Sequence, residues 1–375
     1  MVEGKVHKDT VLTGTVLRSH AGGYLVYQSK LNRELQCAAR GRLKKERVSI
    51  FAGDIVQLED VNWELSQAVI SGCRPRKNSL SRPPLANVDQ VVVVQAIHQP
   101  EWHPLWCDRF LIHFQLELPE ASFILCFNKC DLANQDDIRS LRDVYESLGY
   151  KLHIASAYTG FGLEELKSEL NGKFSIFAGP SGVGKSSLLN ALKPGLNLKV
   201  GIMENEYGVG RHTTTATEIY RLPLNSENKP TWLADTPGFS IAELTHSQPH
   251  DIPLLFPEIR ALADLCKFAD CLHLVEQDCN VLKNLSSINK DRYLSYMTLV
   301  SESKERYLNE LSQSSKKEEQ VKFVGGKNEQ DERAKKIPRL NKRYRAISRR
   351  SEIQQYSPGK IDIEVLENET SENEP

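Results

Sequence analysis

The chain has 375 residues, enough for two or three domains that each bury a core. Its 48 basic and 49 acidic side chains leave a formal charge of -1. That balance excludes a global field for polyanions, so any basic surface must be local. No apolar run approaches the length of a membrane span and the first residues carry no signal-like apolar stretch. The expectation is a soluble cytoplasmic chain with no membrane partner, acting as a monomer. Of eight cysteines, five are scattered and three cluster late in the chain, which suits a reduced compartment with one metal site better than a disulfide framework.

Residues 10–72 hold five short β-rich runs, TVLTGTVLRS, YLVYQS, ELQCAAR, DIVQLEDV and AVISG. Five strands over residues 8–72 predict a small barrel of the oligonucleotide-binding (OB) type, with an SH3-like barrel as the alternative. Between Lys30 and Arg47 lie seven basic residues against two acidic ones, which reads either as a nucleic-acid contact or as a solvated loop.

Over residues 73–245 apolar strands alternate with helical stretches: VDQVVVVQAI, ASFILCFNKCD, YKLHIASA, KFSIFAGPSG, ATEIYRLPL and TWLADTPG. This alternation predicts an α/β domain whose functional loops lie at the carboxyl ends of a mostly parallel sheet.

Three motifs sit at such ends. GPSGVGKSS supplies Gly179, Pro180, Ser181, Gly182, Val183, Gly184, Lys185, Ser186 and Ser187, a phosphate loop between a strand and a helix. Its backbone N–H groups would cradle phosphates, Lys185 would neutralise the β- and γ-phosphates, and the Ser186 hydroxyl would ligate Mg²⁺. FNKCD supplies Asn128, Lys129 and Asp131. The Asp131 carboxylate can accept from both the ring N–H and the exocyclic amine of guanine, a pair adenine lacks, so it selects GTP and GDP. Ser156 in IASA is a second base contact through its backbone. DTPG offers Asp235 for Mg²⁺ and the Gly238 backbone N–H as a γ-phosphate sensor. Between phosphate loop and DTPG lies GVGRHTTTATE, where Thr214 is the threonine expected to close over Mg²⁺, although the stretch also reads as a turn entering a strand.

The base motif precedes the phosphate loop, the reverse of the usual order of a nucleotide-binding GTPase. The same sheet threaded from a different strand, a circular permutation, accounts for it. Phe239 follows Gly238 where many GTPases place a glutamine that orients water, and a phenyl ring cannot do that. His212 is the nearest candidate for the task, against the plainer reading of a solvated histidine.

Residues 246–311 turn helical around Cys266, Cys271, His273 and Cys279. This Cys₃His set, spaced C-x₄-C-x-H-x₅-C, predicts one structural Zn²⁺. Tyr293, Met297, Val300, Tyr307 and Leu311 recur at helical spacing and read as packing. Residues 312–375 are polar and are assigned no stable fold: residues 333–350 hold nine basic side chains and no acidic one, and 361–375 six acidic and no basic. This stretch is either a solvated tail or an RNA-touching arm.

Together, RPRKNSLSRPPLANVDQ, NKCDL, GPSGVGKSSLLN, GRHTTT, DTPGF and the complete cysteine–histidine set make the sequence similar to the small ribosomal subunit biogenesis GTPase A (RsgA, or YjeQ) family of bacteria, over roughly residues 8 to 310. The resemblance implies a GTPase stimulated by the 30S subunit, a 16S rRNA partner, a role late in 30S maturation, and His212 in place of the missing glutamine. It departs in Cys130 at the variable slot of the base motif and in the long tail. The alternative function is an RNA-binding checkpoint set by GTP occupancy, with incidental hydrolysis. A membrane-linked signalling GTPase finds no lipidation signal.

Overall fold

The computed structural model describes residues 12–20, 22–198, 218–223, 229–235, 244, 247–317, 321–324 and 335–338. The chain divides into two compact units, residues 1–243 and 244–375.

The first unit begins with a closed barrel of β1 (Leu12–His20), β2 (Gly23–Gln28), β3 (Arg33–Ala39), β4 (Ile55–Asn62) and β5 (Gln67–Cys73), with α1 (Gly41–Lys45) between β3 and β4. Around the barrel the order is β1-β2-β3-β5-β4, with β3 and β5 parallel and β1 closing on β4. That parallel pair and the helix after β3 make the OB topology and decide against the SH3-like alternative. Alternation along the strands sends Val16, Val26, Leu35, Val56, Leu58 and Ile70 into the interior. Asp54 is fully buried at the barrel rim, where Arg76 donates to both of its carboxylate oxygens at 2.8 Å and lies 4.0 Å from the Phe51 ring.

A hairpin of two-residue strands, β6 (Ser79–Leu80) with β7 (Leu85–Ala86), follows. It joins barrel to sheet: the Ala86 N–H donates to Ala52 O, and Asn87 Nδ2 to Gly53 O. The sheet itself has six strands in the order β10-β9-β8-β11-β13-β12. These are β8 (Gln90–Ala96), β9 (Ser122–Asn128), β10 (Lys151–Ile154), β11 (Phe174–Ala178), β12 (Ile219–Leu222) and β13 (Thr231–Asp235), all parallel except β12. β8, β9 and β11 are buried on both faces, as parallel strands covered by helices must be.

Val91, Val93, Leu125 and Phe127 face α2 (Pro104–Glu117) and α3 (Gln135–Tyr145), through Phe110, Phe114, Leu141 and Tyr145. Val92, Val94, Cys126 and Phe177 face α4 (Leu163–Leu170) and α5 (Lys185–Leu192), through Leu166, Leu188 and Leu189. Local sequence sets the helix starts. The His103 side chain caps α2 and Pro104 opens it, while Asn134 and Asp137 form a reciprocal capping box on α3. The barrel packs on the sheet edge, where Tyr27 meets Trp232 edge-on at 5.1 Å and Arg221 lies 4.9 Å from the Tyr27 ring.

The second unit contains α6 (Ile252–Leu255), α7 (Pro257–Ala263), α8 (Asn280–Lys283) and α9 (Lys290–Lys317). Tyr293, Met297 and Val300 are buried along α9, on the periodicity read from the sequence. Arg292 is buried against Glu258, donating from Nε at 2.8 Å, with its guanidinium 4.6 Å from the Phe256 ring. Within the polar stretch from 312, α9 continues to Lys317, and Val321–Val324 pairs antiparallel with Lys335–Pro338. Composition gave no sign of these two pieces; VKFV and KKIP are too short to raise a period-2 signal among so many polar neighbours.

Candidate functional site

The phosphate loop leaves β11 at Ala178 and enters α5 at Lys185, so it ends at the positive end of a helix, where backbone N–H groups lack intrahelical partners. Glycine is required at two points. A Cβ at Gly179 would collide with the Val94 carbonyl, and one at Gly184 (φ 92) with Asn128 Nδ2. The second close approach matters most, because it brings the base motif against the phosphate loop.

Asn128 ends β9 and is buried. Its Nδ2 donates to Val183 O at 2.9 Å, and its Oδ1 accepts from the Ala157 N–H at 3.0 Å. One side chain thus ties the base motif, the phosphate loop and the IASA loop together. Lys129, with a left-handed backbone (φ 62), donates from Nζ to Gly182 O at 2.8 Å and also to Gln99 O. Burial pushes its ammonium below the usual lysine range, against the pull of Asp131. Ser156 is fully buried; its hydroxyl bonds Asp131 Oδ1, and its N–H donates to Phe161 O at 3.0 Å. Ser156 thus reaches the Asp131 carboxylate through its side chain, while its backbone N–H is held by Phe161. Nothing in the sequence singles out the Ser156 hydroxyl, the Ala157 N–H or the Gln99 carbonyl. Two are backbone groups, which carry no residue signature.

Lys185 Nζ lies over the loop, donating to Gly179 O at 2.9 Å and Pro180 O at 2.8 Å, and burial lowers its pKa. A desolvated ammonium beside open backbone amides is a site for phosphate. Ser186 Oγ stands 3.3 Å from Asp235 Oδ2 at the end of β13. A hydroxyl and a carboxylate oxygen from two elements, next to a phosphate cradle, form a hard donor set that fits Mg²⁺. His212, Thr214, Gly238 and Phe239 lie outside the described residues.

In the second unit, Cys266, Cys271, His273 and Cys279 bring one ligand atom each within 4.8 Å of one another. Cys266 Sγ is 3.5 Å from His273 Nδ1 and 3.8 Å from Cys279 Sγ, and His273 Nδ1 is 3.3 Å from Cys279 Sγ. A tetrahedron built on Zn–S bonds of ~2.3 Å has sulfur–sulfur edges of ~3.8 Å and sulfur–nitrogen edges of ~3.5 Å, so the arrangement fits a closed zinc site. Burial pushes the Cys271 and Cys279 thiols up and the His273 imidazole down. Neutral imidazole is the ligating form, and buried thiolates require a cation beside them. Tyr293 and Tyr296 on α9 donate to His273 O at 2.8 Å and Leu272 O at 2.6 Å, fixing the loop that carries the ligands.

On the barrel, the basic stretch from Lys30 is partly neutralised, with Arg40 paired to Glu59 and Arg42 to Glu46.

A family model described as RsgA GTPase matches residues 73–245. The small ribosomal subunit biogenesis GTPase RsgA of Moorella thermoacetica is 40% identical over 293 residues, 78% of this chain and 97% of that protein. The chain belongs to the RsgA GTPase family. RsgA of Caldanaerobacter subterraneus subsp. tengcongensis is 38% identical over 79% of the chain and 97% of its own length. Among solved structures, YjeQ from Thermotoga maritima superposes with a TM-score of 0.66 at 33% identity, covering 78% of this chain and 99% of that one. YloQ, a circularly permuted GTPase, gives 0.64 at 28% identity, covering 81% and 99%. A second family model, 50S ribosome-binding GTPase, matches residues 174–317. RsgA membership makes the permuted chain order a property of the fold: the sheet is continuous although the base motif is read before the phosphate loop. Among the described residues no helix is long and apolar enough to cross a membrane.

Proposed function

We propose that this GTPase acts in the cytoplasm as a monomer on the small (30S) ribosomal subunit, binding 16S rRNA and assisting late maturation while it hydrolyses GTP to GDP and phosphate. The observation that carries the nucleotide half of this reading is the Asn128 side chain, bonded at once to the phosphate loop and to the loop beside Asp131. The ribosomal half rests on relatives named for the small subunit that align over nearly their whole lengths. The match to a 50S-binding family starts at the phosphate-loop strand and leaves out the barrel, so it carries less weight for the partner.

In this reading Asp131 selects guanine, Asn128 and Lys129 hold the base loop to the phosphate loop, and Ser156 aims Asp131. The backbone N–H groups of residues 179 and 181–187, with Lys185, bind the phosphates. Ser186, Asp235 and Thr214 are the ligands for Mg²⁺, which when bound neutralises charge on the β- and γ-phosphates. Gly238 senses the γ-phosphate. His212 orients the attacking water, since Phe239 offers no hydrogen-bonding group. Zn²⁺ on Cys266, Cys271, His273 and Cys279 supplies a structural cross-link with no open position for chemistry. The domain limits follow as 8–72 for the barrel, 73–245 for the GTPase domain, 246–311 for the zinc region and 312–375 for the tail.

Phe239 favours a second reading, in which GTP occupancy alone sets affinity for RNA. GTP hydrolysis by the purified protein, alone and with small subunits, separates the two for the unmodified chain and His212→Ala. Strong stimulation that His212→Ala removes with GTP binding intact is the expected result. No stimulation would leave the occupancy reading.

A further inference from the structure

The connection from β8 to α2, residues 97–103, is not part of the nucleotide motifs, yet its Gln99 carbonyl accepts from Lys129 Nζ. Gln99 occupies the left-handed region (φ 54), an uncommon conformation for a side chain of its type, so something must hold it there. The far end of the loop is anchored in the core: the Trp102 N–H donates to Ile97 O at 3.3 Å, and its ring packs on Phe127 and Tyr145. The middle is held by His98. Its Nδ1 lies 3.1 Å from both Glu101 carboxylate oxygens and its Nε2 3.1 Å from Asp137 Oδ2, at the start of α3.

That geometry specifies a protonation state. A neutral imidazole has one donor and one acceptor, so it would satisfy one carboxylate and turn a lone pair toward the other. Only the imidazolium donates to both. We propose that His98 is a positioning residue for the base-reading lysine: as an imidazolium bridging Glu101 and Asp137 it holds the Gln99 carbonyl against Lys129 and thereby slows release of guanine nucleotide. The inference rests on the guanine-nucleotide reading of Asn128, Lys129 and Asp131.

Other charges near His98 agree with this state. Hydrogen bonds from His98 to Asp137 and Glu101 raise its pKa above 6.5, while the Asn134 backbone N–H first and His98 second hold Asp137 below the usual carboxylate range. Asp136, on the same turn of α3, is paired with Arg139 at 3.7 Å, and Lys129 reaches the loop through the Gln99 carbonyl. A group whose folded pKa is raised contributes fully below its unfolded value and loses that contribution as pH rises through the folded value. Asp137, held low, stays ionised across that window. Nucleotide should therefore leave faster as pH increases above the ordinary histidine range.

The test is release of methylanthraniloyl-GDP from the full-length protein between about pH 6 and about pH 9, for the unmodified chain, His98→Gln and His98→Arg, with the ADP derivative as control. Expected is an acceleration of about two- to fivefold with rising pH in the unmodified protein. His98→Gln should be fast throughout, and His98→Arg, a permanent cation, slow throughout. If His98→Gln keeps the unmodified pH profile, or His98→Arg is as fast as His98→Gln, the proposal is overturned. Failure of the GDP derivative to bind, or equal binding of the ADP derivative, would instead bring down the guanine reading itself, and the inference with it.

Discussion

Cys266, Cys271, His273 and Cys279 fall within fourteen residues, whereas the groups proposed for the nucleotide site run from Gln99 through Asn128, Ser156 and Lys185 to Asp235. The first set is gathered by one loop and closed by two tyrosine hydroxyls. The second is gathered by the carboxyl ends of β8, β9, β10, β11 and β13, strands spread over more than a hundred residues of chain. A local site can be lost with its ion while a sheet-built site persists; the reverse also holds. Sites of the first kind take their stability from the metal, and those of the second from a core that exists without ligand.

The sharpest way to break that contrast is to remove the ion. Cys271→Ala, or chelation of the unmodified protein, should abolish stoichiometric zinc and unfold the region around it, since structural zinc contributes on the order of 10 kcal/mol to small sites. Metal analysis and near-UV circular dichroism report the loss, and GDP affinity measured alongside should stay within about threefold. A collapse of GDP binding would show the two sites to be one cooperative structure. Next in size, Asp131→Ala should weaken GDP by about a hundredfold, the worth of two hydrogen bonds to a charged acceptor, with zinc content unchanged. Calorimetric titration measures it. The smallest effect belongs to Ser156→Ala. Removing the hydroxyl that holds Asp131 should weaken GDP by roughly five- to tenfold, and an unchanged affinity would mean that Asp131 is positioned without it.

Most of the sheet was legible because β8, β9 and β11 are continuous apolar runs, and a doubly covered parallel strand can read in no other way. The barrel was legible as five strands but not as a topology. What separates OB from SH3-like is the pairing of β3 with β5, a contact between segments whose sequences do not record each other. The short elements escaped for a different reason. α1 is a five-residue turn in a charged loop, and β6 and β7 have two residues each, too few to express any period. Side-chain members of the nucleotide site were visible as motifs. The contacts that orient them were less so: Gln99 and Ala157 contribute backbone groups, and the bond from the Ser156 hydroxyl to Asp131 joins residues 25 apart in the chain. The docking of Tyr27 on Trp232 joins residues more than two hundred apart and is invisible until the chain folds.

Permutation has a consequence for how the sheet is assembled during synthesis. β8, β9 and β10 are contiguous in the chain and contiguous in the sheet, and so are β11, β12 and β13; the two halves meet only along β8 and β11. A chain emerging from its amino end completes the base-reading half before the phosphate strand exists, and can pair those three strands early. The seam forms once β11 is available to pair with β8, and Asn128 and Lys129 stitch across it to Val183 and Gly182. If, as proposed, a guanine nucleotide grips Asp131 on one side and Lys185 on the other, its binding free energy adds to that seam.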